Sequence, residues 1–450
     1  SARFEKGPGR ILTDSAEEKR FEALERDAVK GVFPDYQSVD FGDYLRIVDS
    51  ENPMHRLWSD TPWLKYSLAH GCYWHRCSFC DTELEYVADF APTKIEGLLA
   101  AADKASARTG LYGIHFVDEA MPMAALLEFA RANRVRAAAG RTAGAPANTP
   151  AAKRPFSFWG NVRFDASWTQ GRCEFLATSG LIAVSGGIEI ATERGLEMTD
   201  KGFDLTSLVR TLVAMRRAGI LVHAYLIYGF PGQPVADIID SAEFCRQLFA
   251  SGLVDSAFWH RFVLTRHSRM YKEWREGKRP ELKPLDRKWS FANNDLSFEG
   301  DKAFERFDAP LSAALSAWMA GAELKKPASA WFGRGMPRAS IAADLVESLI
   351  AKAEEALDGE APAPKGRAYW IAGRPIAKAD NNFAASLVWV YRGERCSIEL
   401  PSAAVVKDAA TLLSSPELSL SGMPYGELEA RLKMPASVMT ELLASGLVVV

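Results

Sequence analysis

No apolar run in this 450-residue chain approaches the ~20 residues a membrane-spanning helix needs, and the first residues, Ser1 to Lys6, are charged where a secretory signal would be apolar. The expectation is a cytoplasmic protein with no membrane partner. Cysteine is scarce and is not laid out as a disulfide framework. Cys173, Cys245 and Cys396 are scattered, whereas Cys72, Cys77 and Cys80 fall within nine residues. An excess of one charge is also missing: 54 Lys and Arg face 57 Asp and Glu, a net −3. That balance gives no field able to hold a nucleic-acid backbone without a local basic patch, so nucleic acid is not an expected partner. No internal repeat stands out. With 48% hydrophobic and 25% charged residues the chain has the composition of a folded globular protein, and its length calls for a catalytic domain plus accessory pieces.

Residues 1–60 are polar and irregular, with a charged helical stretch over Ser15 to Val29. They read as a leader packing on the next domain, a remnant of or linker from an upstream domain. From residue 61 to 295, short apolar runs alternate with segments of helical period, the pattern of βα units feeding a parallel sheet. The expected strands are Trp63 to Ala69, Leu111 to Val117, Phe156 to Val162, Leu181 to Gly186, Ile220 to Ile227 and Ala257 to Leu264. Six such units make a partial (β/α)6 TIM-like barrel, an α/β fold whose site belongs at the C-terminal strand ends. Thr93 to Glu96 has the form of a capping box, and Asp204 precedes an apolar helical face that Gly219 ends. Residues 137–153 lack period and read as a surface loop. A helical extension over 296–365 ends in the Pro- and Gly-rich stretch from Gly359 to Gly366. Residues 366–450 then read as a small α+β winged-helix-like accessory domain. Its expected parts are a hairpin around Arg392 to Arg395 and two helices near Tyr425 to Leu432 and Ala436 to Ser445.

The most informative stretch is His70-Gly71-Cys72-Tyr73-Trp74-His75-Arg76-Cys77-Ser78-Phe79-Cys80, directly after the first expected strand. Three cysteines on one loop can converge on one metal centre, and three are too few to close a structural zinc site. A zinc completed by His70 or His75 is the alternative, although no second Cys/His pair follows at the spacing of a finger or ribbon. An open position implies chemistry.

This loop resembles the cluster motif of the radical S-adenosylmethionine superfamily, and in detail it looks most like members classed with cobalamin-binding radical enzymes. Most of the superfamily has one residue fewer between the first two cysteines. The resemblance implies that Cys72, Cys77 and Cys80 bind one 4Fe-4S cluster whose open iron takes S-adenosylmethionine. It further implies reductive cleavage to methionine and a 5′-deoxyadenosyl radical, acting on a small-molecule or peptide substrate, with flavodoxin or ferredoxin as a low-potential donor. Phe79 stands where family members approach the adenine, or it packs the loop. Asp118 or Glu119 is the candidate for the methionine ammonium, with a helix cap as the plain alternative. Arg163, closing the third strand, is a candidate to fork onto a carboxylate of S-adenosylmethionine or of substrate, or it is a surface ion pair. Ser185, Gly186, Gly187 and Glu189 close the fourth strand, where paired glycines admit a cofactor and the acid accepts from ribose or ammonium. Ile227 and Gly229 lie in a strand-five motif similar to the family's adenine support, with Phe230-Pro231-Gly232 following as a tight turn.

The reaction is less legible. Cobalamin-dependent members carry an upstream Asp-x-His-x-x-Gly signature, which none of the seven histidines here provides. Methyl transfer with cobalamin therefore stays open only as an alternative whose domain is missing from this chain. Trp259, His260 and Arg261, with His223, are candidates to touch substrate, or are core and ion-pairing residues. A zinc-stabilised interaction protein and a DNA-binding regulator are the non-enzymatic alternatives.

Overall fold

The computed structural model describes residues 15–44, 53–58, 62–141, 154–285, 294–379 and 385–450. The larger part of the expected loop over 137–153, and residues 1–14, 45–52 and 59–60 of the leader, fall outside these residues. Six strands form one sheet in chain order: β1 (Leu64–Tyr66), β2 (Gly113–Phe116), β3 (Ser157–Val162), β4 (Leu181–Glu189), β5 (Leu221–Tyr228) and β6 (Ser256–Arg261). Every neighbouring pair is parallel. Helices α1 (Ile95–Thr109), α2 (Met123–Arg141), α3 (Gln170–Thr178), α4 (Leu205–Ala218) and α5 (Val235–Ala250) make the crossovers. This is the partial barrel, with all six expected strands present.

The alternation along β5 shows why the sequence folds this way. Val222, Ala224 and Leu226 are buried in the main core, while His223, Tyr225 and Ile227 alternate with them toward the opposite face. Asp204 caps α4 by accepting from the Ser207 amide, Leu208, Leu212 and Met215 are buried, and Gly219 ends the helix in the left-handed region. The capping box expected at Thr93 to Glu96 does not form. Its Thr93 amide donates to the Leu68 carbonyl at 2.8 Å, which fixes it to the exit of β1, and Lys94 occupies the cap without a side-chain bond.

Near the N-terminal strand ends an aromatic plug fills the lumen. Met54 and Trp58, from the helix Pro53–Trp58, pack with Trp63, Trp159 and Ala183. Trp58 and Trp63 both meet Trp159 edge to face. After the sheet, helices α6 (Asp308–Met319) and α7 (Leu345–Asp358) bury Leu311, Trp318, Val346 and Leu349 in the same core as the barrel helices. The extension is thus packed into the barrel's core.

The C-terminal part has its own core, around Trp370, Trp389, Leu413 and Leu442. Strands β7 (Arg367–Trp370), β8 (Ile376–Ala379), β9 (Ala385–Tyr391) and β10 (Glu394–Leu400) precede helices α8 (Ala403–Leu413), α9 (Tyr425–Leu432) and α10 (Ala436–Ala444), and β11 (Leu447–Val449) closes on β7. Strands β9 and β10 form the hairpin, with Tyr391 opposite Glu394 and positive φ at both Arg392 and Gly393, the two-residue turn that matches strand twist. Tyr369 joins this unit to the barrel: its ring packs on Phe175 and its hydroxyl accepts from the Arg131 guanidinium at 2.9 Å. Among the described residues no helix is long and apolar enough to cross a membrane.

Candidate active site

The loop after β1 is held by residues distant in sequence. The Asp118 carboxylate, just past β2, accepts from the Leu68 and Ala69 amides at 3.0 and 2.8 Å and fixes the exit of β1. Gly71 has a φ of +71°, and a Cβ there would lie 2.6 Å from the Asp89 carbonyl, so no other residue fits. The Cys72 amide donates to the Val87 carbonyl, and the Trp74 indole N–H donates to the Asp200 carbonyl. Ser78 bonds the last turn of the short helix after β4, Glu193–Thr199, by donating to the Thr199 and Met198 carbonyls, and its own carbonyl accepts from Met270 beyond β6. Three cysteines from one loop are thereby held against the ends of several strands.

They open onto a cavity of about 250 Å³, also lined by Trp74, Phe79, Glu119, Asn161, Arg163, Gly186, Gly187, Glu189, Lys201 and Tyr225. Cys77 is buried, and Cys72 and Cys80 are half-buried. A hydrogen bond from the Cys80 thiol, with Lys201 and Arg163 nearby, holds Cys77 down to about 7 against the opposing effect of burial. The same bond, together with burial, raises Cys80. Cys173 and Cys245, by contrast, are pushed well up by burial and are inert core thiols.

Glu189 and Lys201 form a buried ion pair at 3.0 Å on the cavity wall. Burial disfavours the ammonium, but Glu189 and the neighbouring thiols outweigh it and hold Lys201 above its ordinary value. Glu189 adopts a φ of +64°, uncommon for a residue with a side chain. Its carboxylate folds back over Gly187, where a Cβ would lie 1.8 Å from Oε1. The glycine before this acid therefore makes room for the acid itself.

The cavity brings together Cys72, Cys77, Cys80, Phe79, Glu119, Arg163, Gly186, Gly187 and Glu189. Four sequence candidates do not line it. Asp118 spends its carboxylate on the backbone of the loop, so of the two neighbouring acids Glu119 is the one at the cavity. Ser185 is fully buried and donates to Asn161. Ile227 packs in an apolar cluster with Phe230 and Phe262, against which Phe79 also rests. Gly229 starts a turn in which Gln233 Oε1 accepts from the Gly229 and Phe230 amides. Nor does Arg163 present a free fork. Nη2 already donates to the Lys201 carbonyl and Nε faces Asp165. On strand six and its neighbour, Trp259 packs in the core, Arg261 pairs with Glu305 and Asp308, and His223 bonds Ser256. His260 stands beside the Tyr225 ring.

Sequence reading missed Trp74, Lys201, Tyr225 and Asn161 as cavity residues. Tyr225 was accessible, because it shares the lumen-facing period of His223. Lys201 was not: it sits in a loop twelve positions after Glu189, and only the fold brings the two together.

Among the described residues no three His, Cys, Asp or Glu side chains gather closely enough to hold a single ion. A polyatomic cluster makes a different demand, since each thiolate meets its own iron and the three need only surround a common space. Cys72, Cys77 and Cys80 around one cavity, with the cations Lys201 and Arg163 beside them, fit that demand.

The fold is similar to several solved structures. One is the radical S-adenosylmethionine methyltransferase TsrM from Kitasatospora setae with cobalamin and a 4Fe-4S cluster bound, at 16% identity and a TM-score of 0.44, covering 72% of this chain and 68% of that one. Another is the cobalamin-dependent S-adenosylmethionine radical enzyme OxsB with aqua-cobalamin bound, at 13% identity and a TM-score of 0.43, covering 57% of this chain and 41% of that one. A third is Elp3 of the archaeon Methanocaldococcus infernus lacking its N-terminus, at 11% identity and a TM-score of 0.30, covering 66% and 68%. These likenesses are distant. No family model matches the chain, and no curated protein matches it.

Proposed function

We propose that this chain is a radical S-adenosylmethionine enzyme in which Cys72, Cys77 and Cys80 hold one 4Fe-4S cluster. The observation that carries the proposal is the sharing of one cavity by three thiols of a single loop with the buried Glu189–Lys201 pair and Arg163. When bound, the cluster with S-adenosylmethionine supplies one-electron cleavage of the sulfonium and a 5′-deoxyadenosyl radical for hydrogen abstraction.

The protein's own residues do the placing. Asp118 and Gly71 fix the loop so that the thiols face the cavity. Lys201 and Arg163 offset the negative charge that three thiolates bring into a buried space, and their presence favours the thiolate at Cys77. Glu119 offers a carboxylate to the cofactor's ammonium, and the Glu189–Lys201 pair offers both signs to its amino-acid end. Gly186 and Gly187 let a ligand approach the backbone of β4. Phe79, backed by Ile227, Phe230 and Phe262, closes one side against water.

The test is anaerobic reconstitution with iron and sulfide, then dithionite in place of a flavodoxin or ferredoxin donor, S-adenosylmethionine, and detection of 5′-deoxyadenosine. Protein carrying four irons that forms none, or a triple Cys→Ala protein that forms as much, overturns the proposal. TsrM and OxsB bind cobalamin, so adding cobalamin and measuring S-adenosylhomocysteine separates methyl transfer from hydrogen abstraction.

A further inference from the structure

The lumen face of β5 and β6 carries a shelf of three rings. Along β6, Ala257 and Trp259 are buried in the main core, while Phe258 and His260 turn to the opposite face, where Phe258 is 46% exposed and His260 is exposed as well. The register sets Phe258 opposite Tyr225 on β5, and Tyr225 opposite Gly187 on β4. Tyr225 and Gly187 both line the thiol cavity, so Phe258 continues a row of cavity residues by one strand. The His260 ring centroid lies 4.5 Å from that of Phe258 and 6.0 Å from that of Tyr225, with the rings inclined at 52° and 44°. Behind them the Tyr225 ring meets His223 edge to face at 4.8 Å, and its phenol meets the buried Ser185 hydroxyl. Among the described residues β6 pairs with β5 alone, so the shelf stands at the unclosed edge of the sheet.

A phenylalanine left almost half in water, between strand neighbours that are 0% and 8% exposed, is apolar surface without cover beside a cavity. Such surface marks a ligand site. Three mutually tilted rings also narrow the ligand. An aliphatic chain would gain only buried area, which leucine or methionine would supply as well. A planar ring gains in addition the offset and edge-to-face contacts that the tilts present. The shelf brings no charge of its own: partial burial holds His260 below its ordinary value, against the opposing effect of Glu189, so the imidazole is uncharged at neutral pH. The imidazole nitrogens and the Tyr225 phenol give the shelf polar tips for a heteroatom on the ligand's rim.

We infer that Tyr225, Phe258 and His260 seat an aromatic ring of the substrate next to the thiol cavity, so that the substrate is an aromatic molecule or a peptide with an aromatic side chain. This rests on reading the cavity as the cofactor site. The experiment uses anaerobically reconstituted holoprotein saturated with S-adenosylhomocysteine, with binding read by calorimetry. The probes are the N-acetyl amides of tryptophan, tyrosine and phenylalanine, set against that of cyclohexylalanine, which has the apolar bulk without the π face. Each is tried alone and within an alanine-flanked tripeptide. In the wild type at least one aromatic probe binds, and its cyclohexyl counterpart binds about tenfold more weakly. A preference confined to the tripeptides assigns the ring to a peptide, and one shown equally by the single amides assigns it to a free molecule. Phe258→Leu keeps an apolar side chain but removes the ring, and it cuts the preference to about threefold, as does His260→Leu. The double variant abolishes it. Both side chains are exposed, so these variants leave the core intact, and their affinity for S-adenosylhomocysteine is that of the wild type. The inference is overturned if no aromatic probe binds the wild type, if aromatic and cyclohexyl probes bind alike, or if the double variant keeps the preference. It is also overturned if the loss falls on S-adenosylhomocysteine, because the rings then serve the cofactor. A wild-type dimer that Phe258→Asp turns into a monomer overturns it too, since a second copy of the chain then covers the shelf. Wild-type protein that loads iron but binds no S-adenosylhomocysteine contradicts the proposed function instead.

Discussion

The two ends of the barrel sheet solve opposite problems. At the base, Met54, Trp58, Trp63 and Trp159 fill the lumen with apolar rings in edge-to-face contact. At the mouth the protein buries Asp118, Arg163, Glu189 and Lys201 and sets Glu189 in left-handed backbone. Such features persist where a ligand completes them and the rest of the fold sustains their cost. The comparison predicts that changes at the mouth remove function before fold. The largest effect is that of replacing Cys72, Cys77 and Cys80 by Ala together. Iron content and 5′-deoxyadenosine fall to background while far-ultraviolet circular dichroism is unchanged. An unfolded triple variant would show that the mouth is structural after all.

The base is broken by Trp159→Ala, which removes the ring on which Trp58 and Trp63 meet. Urea denaturation is expected to show a loss of about 4 kcal/mol, the size of a large aromatic truncation in a core, with iron binding retained per folded chain. Next in size is Lys201→Met, which strands Glu189 in the buried wall. A cost of about 3 kcal/mol is expected, and Glu189→Gln in the same chain recovers much of it, because the penalty comes from the uncompensated charge. The pair also has a signed functional readout. In electron paramagnetic resonance titrations Lys201→Met lowers the cluster's reduction potential and Glu189→Gln raises it, since local charge sets the ease of adding an electron. Shifts of the same sign would remove the pair from the cluster's surroundings.

How far each end was legible in sequence follows from its physics. The strands were visible because their periodicity is local: each alternates core-facing and lumen-facing residues, as Val222 to Ile227 do. The cysteine loop was visible because its three cysteines lie within nine residues. The glycines of β4 were legible as a motif, but their reason was not. Gly187 is needed so that Glu189 can fold back, a contact that depends on backbone conformation. Lys201 and the platform under Arg163 were invisible, since Trp74, Arg163 and Lys201 meet only through long-range crossovers. The base was equally hidden: nothing in the polar leader marked Met54 and Trp58 as the plug of a barrel. The failed capping box at Thr93 shows a local signal yielding to a tertiary bond with Leu68.

Asp118 gives the finest distinction, because it is a buried mouth carboxylate with a structural task. Burial raises it to about 7, against the lowering effect of the two amide bonds from Leu68 and Ala69. In the unfolded chain the same group titrates near 4, about the ordinary aspartate value. Between those values the folded state holds the extra proton, so this group's contribution to stability falls as pH rises from about 4 to about 7, by at most about 1.4 kcal/mol per pH unit. Asp118→Asn cannot titrate and satisfies only one of the two amides. Urea midpoints of wild type and variant should therefore differ most at pH 5 and converge toward pH 8. Parallel curves would mean that Asp118 stays ionised throughout, held by its amide bonds more strongly than burial opposes it. The mouth would then owe its fixed loop to charge-assisted hydrogen bonding rather than to a neutral acid.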